Sequence, residues 1–89
     1  MNIIREKICE ADFSGFSVSY SLTMRRLPQE LGGVTRYGVR LEKSDGDYSE
    51  FTDVFGKRGE ALDFIEQLCR CEVTPTTLED IVYDRLCST

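Results

Sequence analysis

From Phe16 to Arg25 the chain alternates without a break: Phe16, Val18, Tyr20, Leu22 and Met24 fall in one phase, and Ser17, Ser19, Ser21, Thr23 and Arg25 in the other. A period of two matches the pleat of a β-strand, so this segment lays one face on a core and turns the other outward. The same code returns downstream. Tyr37, Val39 and Leu41 alternate with Arg36, Gly38, Arg40 and Glu42 in a strand predicted from Val34 to Lys43. Two such strands suit an antiparallel sheet that needs a cover on one face only.

The rest of the chain supplies further strands and that cover. Ile3 to Cys9 reads as a short strand and Glu10 to Gly15 as a turn, while Leu27 to Gly33, with Pro28 and Gly32-Gly33, reads as a loop. Ser44-Asp45-Gly46-Asp47 between two alternating runs is the signal of a type I′ hairpin, whose central residues both need φ > 0. Tyr48 to Val54 is the returning strand. Phe51 and Val54 are three apart, which predicts a bulge or a strand end near Thr52-Asp53. Helical spacing then takes over, with Ala61, Leu62, Ile65, Leu68 and Cys69 in one stripe and Phe64 at its edge.

A second helix is announced by Val73-Thr74-Pro75-Thr76-Thr77-Leu78. Thr74 suits the N-cap and Pro75 the first helical position, where its missing N–H costs nothing. Val73 and Leu78 then sit at the two positions of a hydrophobic staple. Leu78, Ile81, Val82 and Leu86 form the apolar stripe, and the helix is predicted to end near Leu86. The fold class is therefore α+β: an antiparallel meander of three or four strands followed by two helices packed on one face of the sheet.

Length and composition restrict what such a chain can do. Eighty-nine residues with 40% hydrophobic content sustain one core and so one domain, spanning 1–89. No apolar run approaches the ~18 residues that cross a bilayer, and the first residues lack a signal-peptide stretch. A cytoplasmic protein without membrane contact is expected, with Cys9, Cys69, Cys71 and Cys87 as thiols. A net charge of −5 argues against nucleic-acid binding, which draws on Lys and Arg to neutralise phosphates. The chain has no histidine, which excludes Ser/His/Asp, Cys/His and Cys₂His₂ sites.

Three local patterns invite chemistry and are better read as structure. Cys69-x-Cys71 lies near the end of the first helix, where residues two apart point roughly 200° from each other, and zinc spacings favour longer intervals. Asp45-Gly46-Asp47 lacks the Gly and Glu positions of an EF-hand, since Glu50 and Gly56 stand there. Gly56-Lys57-Arg58-Gly59 has the G-x-x-G form of a KH loop, but it joins a strand to a helix and not two helices. No metal, cofactor or catalytic residue is called for.

Two surfaces are left as candidates for binding a partner. Arg25, Arg36 and Arg40 occupy polar phases of neighbouring strands and are expected to project from the open sheet face beside a row of Ser and Thr, a basic face suited to an acidic protein segment or a phosphate. On the second helix Asp80, Tyr83 and Asp84 share an outward face, with Tyr83 as a possible anchor for a partner. A basic sheet face and an acidic helix layer would also permit self-association.

Two segments resemble an uncharacterised bacterial family, domain of unknown function family 6514. They are Tyr37-Gly38-Val39-Arg40-Leu41-Glu42-Lys43 and Val73-Thr74-Pro75-Thr76-Thr77-Leu78-Glu79-Asp80-Ile81-Val82-Tyr83-Asp84, and the spacing between them also fits. The resemblance covers the chain from about Phe16 and departs at Phe55-Gly56, where a hydroxyl cap is usual for the first helix. It implies a short bacterial cytosolic protein and brings no activity, ligand or catalytic residue. The reading that follows is a small protein-interaction or regulatory module, acting on a protein partner or as a homodimer. The alternative is a small-ligand or enzymatic site built from carboxylates and arginines such as Asp53, Asp80, Arg36 and Arg40.

Overall fold

The computed structural model of the chain describes residues 3–75, 77–78 and 80–82. Four strands form one antiparallel sheet in chain order: β1 (Ile4–Phe13), β2 (Phe16–Arg26), β3 (Thr35–Lys43) and β4 (Tyr48–Phe55). A helix, α1 (Arg58–Arg70), crosses one face, and a single 3₁₀ turn (Gln29–Leu31) sits in the loop between β2 and β3. The meander is thus the four-stranded form of the expectation.

The first strand runs longer than its sequence suggests. One extra residue, Ile8, is inserted between Lys7 and Cys9, so the core phase shifts from Ile4 and Glu6 to Cys9, Ala11 and Phe13. That bulge hides the alternation from a period-two reading. The turn then shrinks to Ser14-Gly15, with Gly15 at φ 91° between the paired Phe13 and Phe16.

The β3–β4 turn also differs from expectation. Lys43 N–H donates to Asp47 O at 2.7 Å and Gly46 N–H to Lys43 O at 3.0 Å, which closes a three-residue loop. Only Gly46 within it has positive φ, at 101°, so this is a turn followed by a left-handed glycine and not a type I′ pair. The Asp45 carboxylate accepts from Asp47 N–H, which fixes the loop and holds the carboxyl below its usual range.

Val18, Tyr20 and Leu22 of β2, Val39 and Leu41 of β3, and Phe55 of β4 form the sheet side of the core. Ala61, Phe64, Ile65 and Leu68 of α1 close it, so Phe64 belongs to the buried stripe, tilted against Phe55 at 5.3 Å, and not to its edge. Leu62 and Cys69 are only half-buried. The helix begins at Lys57 without a side-chain cap, and Arg58 instead reaches Glu6 of β1 at 3.0 Å.

Beyond α1, Val73, Leu78 and Val82 enter the same core, as the staple and stripe require. The backbone is helical at Pro75, Thr77, Leu78 and from Asp80 to Val82, and Leu78 N–H donates to Thr74 O at 3.1 Å. The contact described for the Thr74 hydroxyl is the Thr77 hydroxyl, at 3.1 Å. One helix is therefore described in full where two were predicted, and the stretch from Tyr83 to Leu86 lies outside the described residues.

Candidate functional site

The face of the sheet away from α1 is organised by an irregularity in β4. Val39 pairs with Phe51 and Tyr37 with Phe55, so one residue of β3, Gly38, faces three of β4: Thr52, Asp53 and Val54. The surplus length folds over the open face onto Gly38. A methyl group on Gly38 would overlap the Phe51 carbonyl oxygen and lie 2.6 Å from Thr23 Oγ1 and 2.7 Å from Thr52 Cα. Gly38 and its cross-strand partner Thr23 are consequently buried on a face that would otherwise be wet.

Asp53, at the crest of this bulge, adopts φ 62°, a left-handed conformation that Asp tolerates better than most side chains. Its position resolves an electrostatic conflict. Arg25 and Arg36 are direct cross-strand partners, and like charges directly opposite repel. The Asp53 carboxylate takes the Arg25 guanidinium through Nε, at 3.2 Å, and through Nη2, while its carbonyl oxygen accepts from Arg36 Nη2 at 3.3 Å.

A second cluster lies further along the same face. The Arg40 guanidinium rests 4.1 Å from the centre of the Tyr48 ring, a cation–π geometry. It also lies 3.5 Å from Glu50 Oε2 and 3.7 Å from Glu42 Oε2. Glu50 receives a two-pronged contact from Arg5 of β1, with Nε at 2.6 Å and Nη2 at 3.0 Å. This bond, with Arg40 adding to it, holds the Glu50 carboxyl below the usual carboxylate range. Tyr48 itself is 56% exposed.

Arg25 and Arg36 thus meet at Asp53, and Arg40 stands in the neighbouring cluster. The open face is balanced and not basic. Register places Arg5, Lys7, Arg25, Arg36 and Arg40 there against Glu10, Asp12, Glu42, Glu50 and Asp53, five of each sign. Apart from Glu42 of β3, the acids come from β1 and β4, the two strands with bulges. Asp80 is exposed on the helical segment that sends Leu78 and Val82 into the core, while Tyr83 and Asp84 lie outside the described residues. Of the residues in the alternative reading Arg36 and Asp53 meet, while Arg40 stands in the second cluster and Asp80 on the helical segment, and no enclosed pocket is present among the described residues.

Compared with known protein families, residues 1–88 match the model described as Family of unknown function (DUF6514). The chain belongs to this family. No curated protein and no solved structure matches it.

In this DUF6514 protein the covered face of the sheet holds two further polar contacts. Tyr20, fully buried, donates its hydroxyl to Val73 O at 2.6 Å, tying the sheet centre to the segment after α1. Burial pushes its phenol up to about 12. Cys9 of β1 lies against Cys69 of α1, and burial first, with the Cys69 thiol second, pushes Cys9 up to about 12. Cys71 is exposed at the end of α1, so Cys69 and Cys71 diverge, and no group of three Cys, Asp or Glu side chains converges among the described residues. Spacing pointed to Arg25, Arg36 and Arg40 but missed Arg5, Tyr48, Glu50 and the Cys9 contact. The one usable signal was the broken alternation at Thr52-Asp53.

Proposed function

We propose that this DUF6514 protein is a small cytoplasmic protein-interaction module without catalytic activity, whose contact surface is the open sheet face around Tyr48 and Arg40. The observation that carries the reading is the exposed Tyr48 ring pinned by Arg40 and framed by Glu42 and Glu50. Tyr and Arg are the side chains that most often anchor protein interfaces, and a ring already held in place loses little freedom on docking. Salt-linked acids around it suit a protein segment of mixed charge. Arg25 and Arg36, engaged by Asp53, lie further along the same face and do not offer free cations. In the same reading Asp80, Tyr83 and Asp84 are a subsidiary set of partner-binding residues.

Affinity capture from the native cytoplasm, using the wild-type chain, Tyr48→Ala and a control Asp63→Asn on the exposed side of α1, tests the reading. A protein retained by wild type and the control and lost by Tyr48→Ala is the expected result. Identical capture by all three chains, or none by wild type, would sink it.

A further inference from the structure

The outer edge of β1 carries a pattern that the open-face site does not use. Main-chain direction along β1 follows from β2. Ser17 turns both its N–H and its C=O toward the β3–β4 turn, the first donating to Ser44 Oγ at 3.1 Å and the second accepting from Ser44 N–H at 2.8 Å. Its partner Asp12 is then in a non-hydrogen-bonded pair with β2, so the main chain of Asp12 points away from the sheet. Alternation gives the same direction to Glu10, opposite Ser19. After the extra residue Ile8 it passes to Lys7 and Arg5, opposite Ser21 and Thr23. The free donors and acceptors of this edge therefore belong to Arg5, Lys7, Glu10 and Asp12.

Those four residues read plus, plus, minus, minus about a centre between Ile8 and Cys9. All four side chains lie on the open face, because the bulge shifts the phase by one between the basic and acidic halves. An antiparallel copy of the same edge, turned about that centre, places Lys7 opposite Glu10 of the second copy and Arg5 opposite Asp12 of the second copy, and the reverse. Every rung then joins opposite charges, and every paired residue turns its side chain to the same face. Without the bulge such a register would set side chains on opposite faces and could not form. The same operation brings Ile4, at 61% exposure the most exposed large hydrophobic among the described residues, beside Phe13 of the second copy on the covered face.

We propose that two copies pair through β1 in this register, making one continuous eight-stranded sheet. Sheet edges recruit further strands through their unpaired main chain, and charges on an edge normally block this. Here the charges select a single partner, a second copy in one alignment. The intramolecular contact of Lys7 Nζ with Glu10 Oε2, at 2.7 Å, becomes half of a four-charge cluster at the twofold axis. This interface leaves Tyr48 and Arg40 on the opposite edge strand and its neighbour; the residue it shares with the proposed open-face contact is Arg5, through Glu50, and the variants below leave Arg5 unchanged.

Light scattering and sedimentation of the full chain test the pairing, with far-UV circular dichroism confirming that each variant folds. Wild type is expected to be dimeric at about 100 μM, a concentration that populates even a modest interface. Lys7→Glu and Glu10→Lys, each alone, set like charges on two rungs and are expected to weaken association about tenfold or more. An equimolar mixture of the two variants restores opposite charges on every rung and is expected to recover a heterodimer. A monomeric wild type, or variants that dimerise as well as wild type, would overturn the proposal. So would a mixture that stays monomeric. None of these results bears on capture by Tyr48.

Discussion

Gly38 occupies a polar phase of β3, yet its lack of a side chain is what lets the β4 backbone pass over it. Gly38→Ala is expected to cost about 3 kcal/mol or more, since the atoms in the way include main-chain Phe51 O and Thr52 Cα, which cannot turn aside as a side-chain tip can. Chemical denaturation measures this loss. Thr23 should relax alongside it, because its hydroxyl is the nearest side-chain atom to the new methyl. Tyr20→Phe probes a different point. It removes the hydroxyl that serves Val73 O in the core, and an unsatisfied buried carbonyl costs about 1–3 kcal/mol. The shape of the ring is kept, so a loss within that range, read from the same denaturation curves, isolates the hydrogen bond. A loss near zero would mean that water or a shifted backbone replaces it.

At the scale of elements, the β4 bulge converts two facing arginines into a clasp. Asp53→Asn keeps a residue that accepts positive φ but removes the charge between Arg25 and Arg36. The expected destabilisation is about 1 kcal/mol, falling as salt is added, because these groups are partly exposed and screening weakens both the pair and the repulsion it relieves. Denaturation at low and high ionic strength checks it, and a salt-independent loss would instead indicate a packing defect. The existence of this bulge was legible in the three-residue spacing of Phe51 and Val54. Its direction was not, since spacing shows that a ladder breaks and not over which strand the surplus folds. The β1 bulge was missed altogether: Lys7-Ile8-Cys9 holds two apolar residues in succession, which reads as a strand end when the strand is already weakly patterned. Bulges in β1 and β4 account for most of what was misread on the open face, because Glu10, Asp12 and Asp53 take their facing from them. By contrast β2 and β3, regular throughout, lie where their alternation put them.

Across the whole molecule, the sheet is joined to α1 and to the segment after it by polar groups set in an apolar layer, and these give the fold a pH limit on the alkaline side. Tyr20 sits at the centre of β2 and reaches Val73, while Cys9 on the edge strand reaches Cys69 on α1. Both acids are held protonated in the folded chain, at about 12 each, by burial first of all. In the unfolded chain a thiol ionises near 8.5 and a phenol near 10, so the folded state binds more protons above those values. Stability on this account is level up to about pH 8.5, begins to fall as the unfolded Cys9 ionises, falls faster above about pH 10 as Tyr20 joins, and levels off beyond 12. Cys9→Ser at half-buried Cys9 removes the earlier of the two onsets, and Tyr20→Phe the later. Urea midpoints taken at pH 8, 9.5 and 11 for wild type and both variants separate them: wild type should lose most between pH 9.5 and 11, and Tyr20→Phe, though weaker at pH 8, should lose less over that interval. A wild-type midpoint unchanged from pH 8 to 11 would mean that water reaches Tyr20 and Cys9 in the native state, and that the layer between sheet and helix is looser than its burial implies.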